Sequence, residues 1–114
     1  MAPPDHHMTV LPPGFLRLDQ GRKICFSRPA VDPLFRTAAK VYGPRVMGVI
    51  LTGYGRDGAD GLREIKAAGG ITLVQDPNDA MAEGMPRSAL NESSVDFKIS
   101  LSDMTAILVG LVMA

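Results

Sequence analysis

The sequence predicts an α/β fold, an incomplete parallel sheet preceded by an N-terminal β-hairpin. Three observations carry this. Val46-Met47-Gly48-Val49-Ile50-Leu51 is a nearly unbroken apolar run, the pattern of a strand buried on both faces in a parallel sheet. Beyond it, strand-like and helix-like segments alternate, the order that builds parallel strands joined by right-handed crossovers. Before it, two short strand-like runs flank a turn that contains glycine.

The elements follow in order. Phe15-Leu16-Arg17-Leu18 and Lys23-Ile24-Cys25-Phe26-Ser27 flank Asp19-Gln20-Gly21-Arg22, so the hairpin is expected across residues 15–27. Asp32 then reads as a helix cap with Pro33 at the first helical position. Leu34, Phe35, Ala38, Ala39 and Val41-Tyr42 recur at helical spacing until Gly43-Pro44 stops the helix. After the apolar strand, the turn Gly53 to Gly58 leads into a helix through Leu62, Ile65 and Ala68, closed by Gly69-Gly70. Ile71-Thr72-Leu73-Val74 is the next strand, ending at Gln75-Asp76-Pro77. Met85-Pro86 opens a short helix, Val95 to Ile99 is a last strand, and Ser102 caps a terminal helix. This order gives the strand at 46–51 too few neighbours, so another segment or another chain is expected to complete the sheet.

Composition narrows the function. The 114 residues fit one domain, with 46% hydrophobic and 21% charged residues, a globular profile. Lys plus Arg and Asp plus Glu number 12 each, and no basic cluster with interleaved aromatics occurs, which disfavours nucleic acid and acidic membrane surfaces as partners. The single Cys25 cannot close an intrachain disulfide and suits a reducing compartment. The apolar stretch Thr105 to Ala114 is too short to span a bilayer, and no signal peptide is evident. A cytoplasmic chain is expected, without membrane insertion.

Gly53-Tyr54-Gly55-Arg56-Asp57-Gly58 matches G-x-G-x-x-G after a buried strand, and Asp76 ends the following strand where a ribose-binding carboxylate would lie. Against a dinucleotide, Asp57 sits inside the turn where a pyrophosphate would meet the helix N-terminus. The other reading places Asp57 at an active site on the carboxyl end of the sheet, orienting a histidine while backbone N–H groups of the turn bind an oxyanion.

The surrounding blocks are more specific. Ala2-Pro3-Pro4-Asp5-His6-His7, Arg28-Pro29-Ala30-Val31-Asp32-Pro33-Leu34-Phe35, Leu51 to Ala59, Ala67 to Thr72, Gln75-Asp76-Pro77 and Gly84-Met85-Pro86-Arg87-Ser88-Ala89 lie in order and at matching spacing. Together they resemble the catalytic domain of the protein-glutamate methylesterases of bacterial chemotaxis (CheB-type), over essentially the whole chain and in the domain's C-terminal part only. The resemblance implies a doubly wound α/β domain that hydrolyses glutamate methyl esters on methyl-accepting chemotaxis receptors and, in some members, deamidates receptor glutamines. It implies a Ser-His-Asp triad with no metal and no organic cofactor. By motif, Asp57 is the triad carboxylate. Tyr54 stands where the family usually has Met, a position whose backbone N–H faces the oxyanion. The family's serine and histidine precede the block that begins at Ala2, so residues 1–114 are expected to be inactive alone, their partner being the missing N-terminal segment or a second copy. A non-catalytic interaction module is the alternative.

Other candidates read more simply. His6 and His7 are adjacent and cannot easily chelate one ion, so they are taken as a polar loop opening the hairpin. Asp60 follows Asp57 by three residues and complements a helix dipole. Ser27, Ser88, Ser93, Ser94, Ser100 and Ser102 lack the Gly-flanked elbow of a nucleophile. Met8, Met47, Met81, Met85, Met104 and Met113 are expected as core filler. Arg28 and Arg87, with Met85, are candidates for a groove facing an acidic receptor.

Overall fold

A computed structural model describes residues 2–24 and 28–113. The strands and helices run β1 (His7–Leu11), β2 (Phe15–Asp19), α1 (Val31–Tyr42), a 3-10 turn Gly43–Arg45, β3 (Met47–Ile50), α2 (Ala59–Ala67), β4 (Ile71–Gln75), α3 (Gly84–Glu92), β5 (Phe97–Ile99) and α4 (Leu101–Met113). The alternation read from the sequence is therefore the alternation observed. β3, β4 and β5 form a parallel sheet in that order, with Gly48 opposite Thr72 and Leu73 opposite Phe97.

The hairpin that the structure describes at the N-terminus begins ahead of Phe15. β2 pairs with β1 across a turn at Pro12-Pro13-Gly14. The reason is amphipathic: His7, Thr9 and Val10 of β1 are buried, and Val10 N–H donates to Thr37 Oγ1 of α1 at 2.9 Å. Asp19-Gln20-Gly21 closes as a local side-chain turn, Asp19 Oδ1 accepting from Gly21 N–H at 2.9 Å. Cys25, Phe26 and Ser27 lie outside the described residues.

His7 is also not a loop residue. It is 2% exposed; its Nδ1 accepts from Ala30 N–H at 3.2 Å, so Nε2 carries the proton that reaches Arg22 O at 2.8 Å. The ring thus latches β1 to the chain entering α1.

Apolar residues of the helices α1, α2 and α3 meet against β3 and β4. Ile50, Leu62, Val74 and Ala89 are buried together, with Val31, Phe35, Met85, Leu90 and Val95 packed against them. Gly48 lets α2 approach the strand, since a Cβ there would lie 2.6 Å from Ile65 Cδ1. Thr72, fully buried on β4, donates its hydroxyl to Ser94 O at 2.9 Å and accepts from Asp96 N–H at 3.0 Å, fixing the entry to β5.

The expectation of an uncovered sheet has a structural counterpart. β3 is an edge, hydrogen-bonded to β4 alone among the described strands. α4 buries only Met104, while Leu101, Val109, Val112 and Met113 are exposed. Phe15, Leu16 and Leu18 of β2 are exposed as well. The accessible surface is 6824 Å², against about 6,100 Å² for a monomer of this mass. Met81 and Met113 lie at the surface, so core filling accounts for Met104 and in part for Met85 but not for these two.

Candidate active site

The turn after β3 is held from two sides. Thr52 N–H donates to Gln75 Oε1 at 3.0 Å, at the end of the neighbouring strand. Thr52 Oγ1 accepts from Ala82 N–H at 2.7 Å, Gly53 N–H donates to Ala82 O at 2.9 Å, and Met85 N–H donates to Gly53 O at 2.9 Å. The strand end is thereby laced to the start of α3. Each glycine of the motif has a packing or backbone reason. A Cβ on Gly53 would meet Met85 Sδ at 2.4 Å, and one on Gly58 would meet Ile50 Cδ1 at 2.4 Å. Gly55 and Gly58 have φ of +81° and +102°, values side chains disfavour.

Asp57 lies in this turn, half-buried, and its carboxylate points to the N-terminus of α1. Oδ2 accepts from Val31 N–H at 2.6 Å and Oδ1 from Asp32 N–H at 3.1 Å. These are the first two helical amides of α1, which have no partner within the helix. Ala30, at the cap position, offers no side-chain acceptor. Asp57 is thus a cap supplied from 25 residues away, and it places a negative charge at the positive end of a helix dipole.

Asp32 does the converse. Expected to cap its own helix, it sits inside the first turn of α1, 5% exposed. Its Oδ1 instead accepts from Gly58 N–H at 3.1 Å and Gly61 N–H at 2.8 Å, the N-terminus of α2. Burial, reinforced by the charges of Asp57 and Asp60, raises its carboxyl above the ordinary aspartate value, and the two N–H bonds oppose that rise. The two helices therefore exchange caps. The exchange also answers the dinucleotide reading: the amides a pyrophosphate would use at the start of α2 already serve Asp32.

The other candidates fall as follows. Tyr54 is 90% exposed, and its N–H meets no acceptor among the described residues. Met85 packs under Gly53, beside the turn. Arg87 pairs with Glu83 at 3.3 Å on the exposed side of α3. Arg28 grips the N-terminal loop, its Nη2 2.6 Å from Asp5 Oδ1 and its Nη1 3.1 Å from both Gln20 O and Gly21 O. Asp60 forms an ion pair with Arg63 on the surface of α2. The cap expected of Ser102 comes from Asp79, whose Oδ2 accepts from Leu101 N–H at 2.8 Å. Among the described residues no cluster of three or more His, Cys, Asp or Glu could hold a metal ion, and no helix is long and apolar enough to cross a membrane.

Sequence reasoning missed Asp32 and Gln75 as parts of this site. The only signal was that each falls in a motif block without a local task. A parallel α/β sheet whose post-strand turn presents an aspartate held by another helix's N-terminus is the architecture of an α/β domain with its site at the carboxyl ends of the strands. The comparisons make the class specific. The profile of the CheB methylesterase family matches residues 1–108, and the chain belongs to that family. It is 42% identical over 111 residues to a putative protein-glutamate methylesterase/protein-glutamine glutaminase of Leptospira interrogans, covering 97% of this chain and 58% of the relative. It is 44% identical over 108 residues to the protein-glutamate methylesterase FrzG of Myxococcus xanthus, covering 95% of this chain and 32% of that one. The crystal structure of the Thermotoga maritima CheB methylesterase catalytic domain superposes with a TM-score of 0.92 at 34% identity, over 96% of this chain and 60% of that domain. The chain thus spans a little over half of the catalytic domain it resembles.

Proposed function

We propose that these residues are the carboxylate-bearing part of a cytoplasmic protein-glutamate methylesterase and glutaminase acting on chemotaxis receptors, with Asp57 as the acid of a Ser-His-Asp triad. One observation carries the reading: Asp57 is held at the carboxyl end of β3 by Val31 and Asp32 N–H, with Tyr54 three residues before it. A carboxylate so fixed can orient a histidine and stabilise its imidazolium while serine attacks the ester carbonyl and methanol leaves. Tyr54 N–H, without an acceptor of its own among the described residues, is available to the developing oxyanion. Met85 and Arg87 flank the turn on α3 as groove candidates; Arg28, already bound to Asp5, contributes by fixing the loop ahead of β1.

By the family resemblance the serine and histidine precede the block that begins at Ala2, so residues 1–114 alone are expected to be silent, because triad members act as a unit. The test is methanol release from methylated receptor, with the 114 residues alone and then mixed with the preceding segment of the Leptospira relative. Turnover only in the mixture, lost in Asp57→Asn, supports the reading. Turnover by the 114 residues alone would overturn it.

A second reading, a non-catalytic interaction module that pairs with another chain or with itself, is favoured by the exposed apolar face of α4 and the free edge of β3. A monodisperse monomer in sedimentation velocity, without dye-binding apolar surface, would count against it.

A further inference from the structure

The block Arg28 to Phe35 resembles the family as strongly as the turn that holds Asp57, yet the triad reading gives the side chain of Asp32 no task. Its one buried ionisable group is Asp32. A carboxylate without a lysine or arginine partner is costly inside a protein, so its burial calls for a reason in what it holds. What it holds is the peptide group that follows Asp57. Asp32 Oδ1 accepts from Gly58 N–H at 3.1 Å, and that amide is the one joining Asp57 to Gly58. Asp32 N–H in turn donates to Asp57 Oδ1 at 3.1 Å. The result is a closed ring: the main chain of one aspartate holds the side chain of the other, in both directions. Gly61 completes it at 2.8 Å, and only glycine fits there, because a Cβ would lie 2.6 Å from Phe35 Cβ and 3.1 Å from Asp32 Oδ1.

We propose that Asp32 is a positioning residue for Asp57, setting the orientation of the carboxylate that a triad histidine would meet. The proposal rests on the triad reading for its catalytic consequence but not for its geometry. Two contacts fix the Asp57 oxygens, and Asp32 fixes the backbone from which they project. Moving the Asp32 carboxylate rotates the Asp57–Gly58 peptide and pulls the Asp57 oxygens off Val31 and Asp32 N–H together.

The geometric test uses the 114-residue chain and reads the Val31 amide proton by nitrogen-15-edited NMR. An N–H bonded to a carboxylate resonates downfield, and Asp57→Ala supplies the unbonded reference position. Asp32→Asn keeps an acceptor oxygen in place, whereas Asp32→Glu keeps the charge and carries it one methylene further. The Val31 amide is expected to hold its wild-type shift in Asp32→Asn and to move most of the way to the reference in Asp32→Glu. An unmoved Val31 amide in Asp32→Glu overturns the proposal. Should Asp32→Glu fail to fold, Gly61→Ala displaces the same oxygen and is read the same way.

The catalytic arm uses the chain combined with the preceding segment of its relative. Asp32→Glu is expected to lower kcat by about a hundredfold, and Asp32→Asn by no more than about threefold, with KM held within about twofold, the signature of misplacement rather than lost binding. Equal losses in the two variants, tracking their thermal stability, would reduce Asp32 to a structural cap. If Asp57→Asn leaves turnover intact, the triad reading falls while the Val31 shift still decides the geometry.

Discussion

Replacing Asp57 by alanine should destabilise the chain, the opposite of the general expectation for the catalytic residue proposed here. Functional groups often sit at a cost to stability, and removing them commonly stabilises. Here the carboxylate carries two N–H bonds at the start of α1, at 2.6 and 3.1 Å. Loss of a capping acceptor costs about 0.5–2 kcal/mol, and loss of a negative charge at a helix N-terminus about 0.3–1 kcal/mol. These overlap in part, but Ala30 and Asp32 are both more than nine-tenths buried, so water cannot readily replace the lost acceptor. A total of about 2 kcal/mol follows, or a fall in Tm of about 8 °C for a domain of this size. Thermal melts by circular dichroism measure it, with Asp60→Ala as the control. Asp60 is exposed and, among the described residues, pairs with Arg63 on the same helix, so its loss should cost under about 0.5 kcal/mol. An Asp57→Ala protein as stable as Asp60→Ala, or more stable than wild type, would refute the cap exchange.

Two further outcomes follow from the same geometry. The carboxyls of Asp96 and Asp32 are displaced in opposite directions. The hydrogen bond from Lys66 at 2.6 Å, followed by that from Thr72 N–H, lowers Asp96; its contribution is present above the ordinary carboxylate value near 4 and is lost as pH falls through the lower folded value. Burial raises Asp32, so its contribution is full below about pH 4 and is lost as pH rises through the higher folded value. Urea midpoints should therefore show Asp32→Asn gaining on wild type from pH 4 upward and Lys66→Met losing its deficit in strong acid; parallel curves would contradict both. Gly58→Ala combines a φ of +102° with a Cβ 2.4 Å from Ile50 Cδ1 and should cost about 2–4 kcal/mol. Gly55→Ala faces open space at φ +81° and should cost about 1–2 kcal/mol from backbone strain alone, an ordering that denaturant titration resolves.

The parts of the fold legible in the sequence are those fixed by local pattern. The run at 46–51, the glycines at 69–70 and the helical spacing of Leu62 and Ile65 depend on neighbours within a turn or two. The pairing of β1 with β2 is not legible locally, because Gly14 and Gly21 both offer turns, and β1 is fixed by the helix that covers it. Thr37, which receives Val10 N–H, lies 27 residues away. The caps were misassigned for the same reason. An aspartate before a helix looks like that helix's cap, but Asp32 and Asp57 lie 25 residues apart and each serves the other's helix. Gln75 reads as the end of a strand until the neighbouring strand places Thr52 N–H against its side chain. The place of Asp57 in the turn between β3 and α2 is legible, because the glycine motif around it sits between a buried strand and a helix.

The exchanged caps bear on how a catalytic site could be divided between two stretches of chain. A triad carboxylate must present one lone pair in one direction, and a side chain free to rotate would give that precision up. Each Asp57 oxygen holds one N–H and retains a lone pair, so its orientation is set by α1 alone, without a histidine in place. Thr52, Gly53 and Met85 likewise fix the turn before Asp57 through bonds internal to residues 52–85. The preorganised side of the proposed site is therefore built entirely within these 114 residues. The complementary segment would have to dock against the free edge of β3 and bring its reacting side chains with it, but would not have to remodel the carboxylate that meets them.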